Sequence, residues 1–431
     1  MSAAEASGAG ASVPGRAWAA ATRECDARYG DGMSATVHVA WSPQLLGYDF
    51  GLGHPMSPVR LRLTVELARE LGVLEGAEAL VVEPEPADDA LLALVHERAY
   101  LDAVRAAAER GVTDPVRGLG TEDDPIFPRM YDAAARIVGG TVEAVRAVVS
   151  GRAAHGINVA GGMHHAMPGG ASGFCVFNDA AVAIQDALDA GVERVAYVDL
   201  DAHHGDGVEK AFWGDPRVLT VSVHQSPATL FPGTGYPTEI GGPSAAGTAV
   251  NVALPPRTEG AGWLRAVEAT VLPAVRAFAP DLLVTQHGCD AHGRDPLSEL
   301  RVGIRAQRHA AEWMHELAHE VCDGRWVALG GGGYAIVGVV PVAWTNLLGV
   351  VSHRPVSPET PVPASWRARI LEEFLVEAPS RMGGDDVADL ASGPDHRPWG
   401  AGYDPADPVD RAVRATRAAV FPHLGLLSDD L

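Results

Sequence analysis

The residues able to do chemistry in this chain crowd into a few short segments. The densest is Asp199-Leu200-Asp201-Ala202-His203-His204-Gly205-Asp206-Gly207. Asp201 and His203 stand two apart, and at an extended strand end such residues point the same way. A carboxylate and an imidazole are thereby presented side by side. Asp290, in His287-Gly288-Cys289-Asp290, completes a three-ligand set from a neighbouring strand end. Three protein ligands leave a position open for water, as a catalytic metal centre requires. The oxygen–nitrogen–oxygen donors suit Zn2+ and also Fe2+. His164 and His165, in Gly161-Gly162-Met163-His164-His165, form a proton-handling pair: an activated water needs a base and a departing amine needs an acid. A carboxylate on the far ring nitrogen fixes a histidine tautomer, and Asp199 and Asp206 are the available partners. Tyr334 follows four glycines, Gly330 to Gly333, which let the backbone pass close to a ligand. Its hydroxyl can then donate to a carbonyl oxygen as negative charge develops there. A phosphate-cradling loop is a poor reading of that glycine run, because no Gly-Lys-Ser/Thr follows it.

These segments need a scaffold that brings them together. Short apolar runs, rich in Val, occur at Ile157–Ala160, Val195–Val198, Val218–Val223, Leu282–Thr285 and Trp326–Leu329, and read as strands of a buried parallel sheet. Val37 and Val39 alternate with His38 and Ala40 as a further short strand would. Helical periods lie between: Tyr131, Ala134, Ala135, Val138, Val142, Val145 and Val149 share one face, as do Ala310, Trp313, Met314, Leu317, Ala318 and Val321. Strands alternating with helices predict an α/β fold, a single large domain with a central, mainly parallel sheet flanked by helices. Four of the strands lead directly into a reactive segment, so the active site is expected at the carboxyl ends of the strands, where open α/β sheets bind ligands.

The boundaries follow from composition. Residues 1–33, rich in Ala, Gly and Ser, read as a flexible N-terminal tail. Residues 34–360 form the expected catalytic domain. Residues 361–431, entered through a Pro-rich stretch and offering a helix near Trp366–Leu375, are expected to pack on it as a C-terminal extension. The formal charge of −22, from 33 basic and 55 acidic residues, disfavours nucleic acid as a partner, which needs a cationic face. Four cysteines in 431 residues do not make a disulfide framework. No signal peptide and no apolar run long enough to span a membrane are visible. A cytoplasmic location is expected.

In order along the chain, the motifs resemble the histone deacetylase family from about Tyr48 to Trp344, an arginase/deacetylase-like fold. Gly53-His54-Pro55-Met56 is similar to the family's early segment. Glu122-Asp123-Asp124-Pro125 resembles the loop whose Asp grips the substrate backbone, which implies that role for Asp123. Gly162-Met163-His164-His165 and Ser172-Gly173-Phe174-Cys175 resemble the dyad and one tunnel wall, and Phe231-Pro232-Gly233-Thr234-Gly235 the other, with Phe231 facing Phe174. The resemblance implies hydrolysis of the acetyl amide of acetyl-lysine in proteins, to free lysine and acetate. In it His165 is general base and acid, hydrogen-bonded to Asp206; His164, paired with Asp199, supports it; Tyr334 stabilises the oxyanion. It also implies a potassium ion beside Asp199, Asp201 and His203, with Ser222 nearby. The segment Gly288 to Leu297 is most similar to the bacterial acetoin-utilization branch of the family, which points to a metabolic enzyme such as acetyl-CoA synthetase as the acetylated partner. In that segment His292 stands where the family's eukaryotic enzymes usually carry an aliphatic residue, and a different rim is expected. Leu297 occupies the place where polyamine deacetylases carry an acidic gatekeeper; a neutral residue there favours acetyl-lysine over a cationic polyamine.

Competing readings exist. An acetylpolyamine deacetylase or another small-molecule amidohydrolase would share every catalytic residue. A module that binds acetyl-lysine without cleaving it would lack Tyr334, a metal ligand or His165, and all are present. His315-Glu316-Leu317-Ala318-His319 spells the H-E-x-x-H string of zinc peptidases. The two histidines fall on the polar side of the helix, no third His follows at the expected spacing, and a solvated helical face is the reading adopted.

Overall fold

The computed structural model describes residues 36–75, 79–386, 389 and 395–428; the expected tail, 1–33, lies outside them. Eight strands, β1 Val37–Ala40, β2 Ala79–Val82, β3 His155–Asn158, β4 Val195–Asp199, β5 Val218–Gln225, β6 Ala249–Leu254, β7 Leu282–Gln286 and β8 Trp326–Leu329, form one sheet in the order β2-β1-β3-β8-β7-β4-β5-β6. Every pairing is parallel. The helices are α1 Val59–Glu70, α2 Asp89–Leu92, α3 Arg98–Arg110, α4 Met130–Val149, α5 Asp179–Asp189, α6 Asp206–Phe212, α7 Gly260–Ala266, α8 Leu272–Phe278, α9 Ile304–Cys322, α10 Val340–Val351, α11 Ala364–Phe374 and α12 Pro408–Val420. Among the described residues, none is long and apolar enough to cross a membrane.

The expected α/β architecture is present, and burial explains it. Strands β3, β4, β5, β7 and β8 are buried along their whole length, as a parallel sheet covered on both faces demands. Each fully buried Val or Leu contributes roughly 1.5–3 kcal/mol relative to exposure. β3 begins two residues earlier than the expected run, at His155. Edge strand β2 is partly exposed, and β6 contains Asn251; neither was foreseen. The outer side of β6 is covered by α12, whose Thr416 hydroxyl donates to the Asn251 carbonyl at 2.6 Å, so a row of strand-edge acceptors is not left open. Helix α12 is tied to α7 by a buried ion pair, Arg265 Nη2 to Asp410 Oδ2 at 2.9 Å.

The functional consequence lies in the strand order. β3, β8, β7 and β4 are consecutive neighbours, and their carboxyl ends lead into Gly161–His165, Gly330–Tyr334, His287–Asp290 and Asp199–Asp206 respectively. Segments scattered over some 170 residues of chain are therefore collected along one short length of sheet edge.

Candidate metal centre and proton-handling site

Asp201, His203 and Asp290 converge. Nδ1 of His203 lies 3.1 Å from Oδ1 of Asp201 and 2.9 Å from Oδ2 of Asp290, and all three residues are buried. The other carboxylate oxygens are occupied: Asp201 Oδ2 accepts from the Gln286 amide and the Gly332 N–H, both at 2.8 Å, and Asp290 Oδ1 accepts from the Ala202 N–H at 2.8 Å. Each carboxylate thus turns one oxygen toward His203 and is braced through the other. The glycines supply the room. A Cβ on Gly288 would lie 1.9 Å from Oδ2 of Asp201, and one on Gly332 would lie 2.0 Å from Oδ2 of Asp290. Electrostatics agree with a cation site. Burial and the Asp201 charge push the Asp290 carboxyl up, whereas burial of Asp201 is outweighed by His164 and His203, which hold it well below the carboxylate range. The donor set, two buried carboxylates and one imidazole, fits a divalent ion.

The adjacent histidines form two distinct pairs. Nδ1 of His164 donates to Oδ2 of Asp199 at 2.8 Å, and Nδ1 of His165 donates to Oδ1 of Asp206 at 2.7 Å. The two rings stand 4.0 Å apart. Burial alone would lower both. For His164 the carboxylates of Asp199 and Asp201 override it and raise the ring to about 9. For His165 burial prevails, reinforced by the His164 charge, and the ring falls to about 4. The two environments push the neighbouring rings in opposite directions. Environments that push paired groups apart mark acid and base assignments.

Tyr334 is held by its backbone: its N–H and that of Ala335 donate to Oδ2 of Asp295 at 2.7 and 3.3 Å. Burial, with the charges of Asp290 and Asp201, pushes its hydroxyl well above the ordinary phenol value, so it stays a donor. Its ring meets Phe174 edge-on at 5.6 Å. Phe231 packs against His165 at 5.0 Å and His203 at 6.5 Å. The two expected wall residues therefore flank the centre through different partners. Gly173, at φ +53, leaves no space for a side chain: a Cβ would lie 2.5 Å from Cδ2 of His165 and 3.0 Å from Phe231. Asp123 is exposed, and its carbonyl accepts from Nε2 of His54 at 3.0 Å. Leu297 is half-buried, its N–H donating to Asp295. The Ser222 hydroxyl is engaged with Nδ1 of His224 at 2.8 Å.

Two expectations need correction. His292 does not shape a rim: it is 1% exposed and meets Asp389 of the C-terminal extension at 3.1 Å. His315 and His319 are not on a solvated face: both are half-buried and pack against His155. Sequence reasoning also missed the residues that brace the site. Asp179 accepts the Gly162 and Met163 N–H groups. Asn178 caps α5 through the Ala181 N–H and donates to the His164 and Ala166 carbonyls. Arg60 donates to the Gly331 and Gly333 carbonyls and lies over the Trp344 ring. The Asn178-Asp179 pair opening an apolar helical run was a readable capping signal; Arg60 had none.

The comparisons point the same way as the geometry. Residues 54–351 match the histone deacetylase domain. Acetoin utilization protein AcuC of Bacillus subtilis (strain 168) is 39% identical over 356 residues, covering 81% of this chain and 90% of that protein. AcuC of Staphylococcus aureus (strain MRSA252) is 37% identical over 75% of this chain and 83% of its own length, and AcuC of Staphylococcus xylosus 36% over 78% and 87%. With a buried Asp-His-Asp centre beside two aspartate-paired histidines, and with this extent of similarity, the chain belongs to the histone deacetylase family, a family of amide hydrolases.

Proposed function

We propose that this chain is a metal-dependent lysine deacetylase that hydrolyses the acetyl amide of acetyl-lysine in proteins, releasing lysine and acetate. The observation that carries the proposal is the pair of adjacent imidazoles, each held by its own aspartate, next to a buried three-ligand centre. Asp201, His203 and Asp290 would hold the ion, Zn2+ or Fe2+. When bound there, such an ion supplies Lewis acidity to a carbonyl oxygen and acidity to a water.

The remaining roles fall to the chain. Asp206 occupies Nδ1 of His165, so the lone pair sits on Nε2. That atom takes a proton from the attacking water and returns it to the departing amine. Asp199 keeps His164 cationic, and its charge stabilises the negative charge that grows as the carbonyl is attacked. Tyr334 donates a hydrogen bond from its hydroxyl to the carbonyl oxygen. Gly173, Phe174 and Phe231 offer an apolar surface to the methylenes of a lysine side chain, and Asp123 at the exposed rim accepts from a peptide N–H. A potassium ion beside Asp199, Asp201, His203 and Ser222 belongs to the same reading.

The similarity to AcuC supports a metabolic enzyme, such as acetyl-CoA synthetase, as the acetylated partner. Leu297 supports a peptide over an acetylated polyamine, because it offers no charge to a second amine. The test is turnover of an acetyl-lysine peptide and an acetylated polyamine side by side, with wild type and Leu297→Glu. The expected result is that wild type prefers the peptide and the variant shifts toward the polyamine. A wild type that turns over only the polyamine overturns the substrate assignment.

A further inference from the structure

Four histidines meet at the opposite edge of the sheet. His155 is the first residue of β3 and His164 follows the other end of the same strand. His315 and His319 lie one turn apart on α9, and His353 follows α10. One nitrogen from each lies within 4.8 Å of those of all the others. Nε2 of His315 and Nε2 of His319 are 3.1 Å apart, close to the roughly 3.3 Å edge of a tetrahedron of nitrogens at the usual Zn–N distance of about 2.0–2.1 Å. His155 stands 4.8 Å, centroid to centroid, from His353, 5.0 Å from His315 and 5.1 Å from His319.

Tautomer and burial carry the argument further. Nδ1 of His155 lies 2.8 Å from the Gly324 carbonyl and donates to it, which places the lone pair on Nε2. That atom is buried, in a residue with no exposed surface, and has no hydrogen-bond partner. A buried acceptor without a partner asks for an explanation, and an imidazole fixed by a backbone carbonyl through its far nitrogen is the usual form of a metal ligand. The turn after α9 is shaped for this contact. Gly324, at φ +77, brings its carbonyl to His155 and its Cα against His319, where a Cβ would lie 2.8 Å from Nδ1. His353 is held at φ +55, a left-handed conformation uncommon outside glycine.

We infer that His155, His315, His319 and His353 form a second metal site, taking a divalent transition ion that prefers imidazole, such as Zn2+, Ni2+ or Cu2+. Four protein ligands close the coordination sphere, as structural sites do. Glu316, the would-be base of the H-E-x-x-H string, is exposed, so the site is no peptidase centre. It clips β3, α9 and the segment after α10 together at the edge farthest from the catalytic centre.

The inference is independent of the deacetylase assignment. Protein stripped with chelator is equilibrated with excess Zn2+, desalted, and its metal counted by mass spectrometry. His315→Gln/His319→Gln is expected to hold one ion fewer per chain than wild type while keeping its turnover. Asp201→Asn/Asp290→Asn isolates the second site. In that background Zn2+ is expected to raise the unfolding temperature, and His353→Asn, a change at an exposed residue with a side chain tolerated at this backbone angle, to diminish the rise. Equal metal counts in wild type and the double histidine variant, or an unfolding temperature indifferent to Zn2+ in the isolating background, overturn it.

Discussion

Asp199 and Asp206 sit on opposite members of the histidine dyad, the first 2.8 Å from Nδ1 of His164 and the second 2.7 Å from Nδ1 of His165. The same motif supplies both carboxylates, yet the rings they hold shift in opposite directions. Asp199 also accepts from the Tyr197 hydroxyl at 2.7 Å and is fully buried, and together with Asp201 it outweighs the burial of His164. Asp206 does not outweigh the burial of His165.

The pH profile should show this difference. In the proposed mechanism His165 works as a base when neutral, so kcat/KM is expected to rise as pH climbs through about 4. In the same mechanism His164 supports the reaction when protonated, so kcat/KM is expected to fall as pH passes about 9. In Asp199→Asn the partner charge is gone, and the alkaline limb should move down by about 1–3 pH units. An alkaline limb that stays in place separates His164 from that limb.

In the proposed mechanism Tyr334 donates to the oxygen that becomes negative, an interaction stronger in the transition state than in the bound substrate. Tyr334→Phe is expected to lower kcat by about 10²–10³-fold with KM little changed. Steady-state kinetics decide it, and a rise in KM alone would make Tyr334 a substrate-binding residue.

Gly173 holds the wall against the dyad. In Gly173→Ala the added carbon meets His165, and the backbone angle of +53 disfavours a side chain. A displacement of the dyad by an ångström costs about 10²-fold, so kcat/KM should drop by that order while far-ultraviolet circular dichroism is unchanged. Gly233→Ala carries the same left-handed backbone cost, at φ +85, but its Cβ would meet nothing closer than 3.9 Å and does not touch the dyad, so it should lose less.

Helix α12 depends on the buried Arg265–Asp410 pair. Asp410→Ala leaves the Arg265 charge buried without its carboxylate and is expected to cost about 3–5 kcal/mol in urea unfolding. Burial of Asp410 is overridden by Arg265, the Asp404 N–H and Arg397, which hold its carboxyl at about 2 rather than 3.8. Its contribution is therefore present above pH 3.8 and lost as pH falls through about 2. A wild-type acid transition that Asp410→Ala leaves unmoved would contradict the assignment.

The contrast between readable and unreadable residues has a physical basis. Asp201, His203, Asp290, His164, His165 and Tyr334 lie within a few residues of a buried strand, and period and composition announce such strands. Adjacency in sequence then implies adjacency in space. The bracing residues act across long separations: Arg60 reaches the glycine loop from α1, 271 residues away, and Asp295 reaches Tyr334 across 39. Nothing local marks them. β2 escaped notice because it is an edge strand and half-exposed. His315 and His319 were misread because a helical wheel shows which side is polar but not what packs there. The start of β3 and the segment after α10 bring His155 and His353 against that side.

The central claim is that Asp201, His203 and Asp290 hold an ion on which amide hydrolysis depends. Its most direct test is acetate release from an acetyl-lysine peptide by protein stripped of metal and then reloaded with Zn2+ or Fe2+, alongside Asp290→Asn treated in the same way. Turnover lost on stripping, restored by one of the ions in wild type and not restored in Asp290→Asn is the predicted result. Turnover that survives stripping, or that returns equally in Asp290→Asn, would contradict the account.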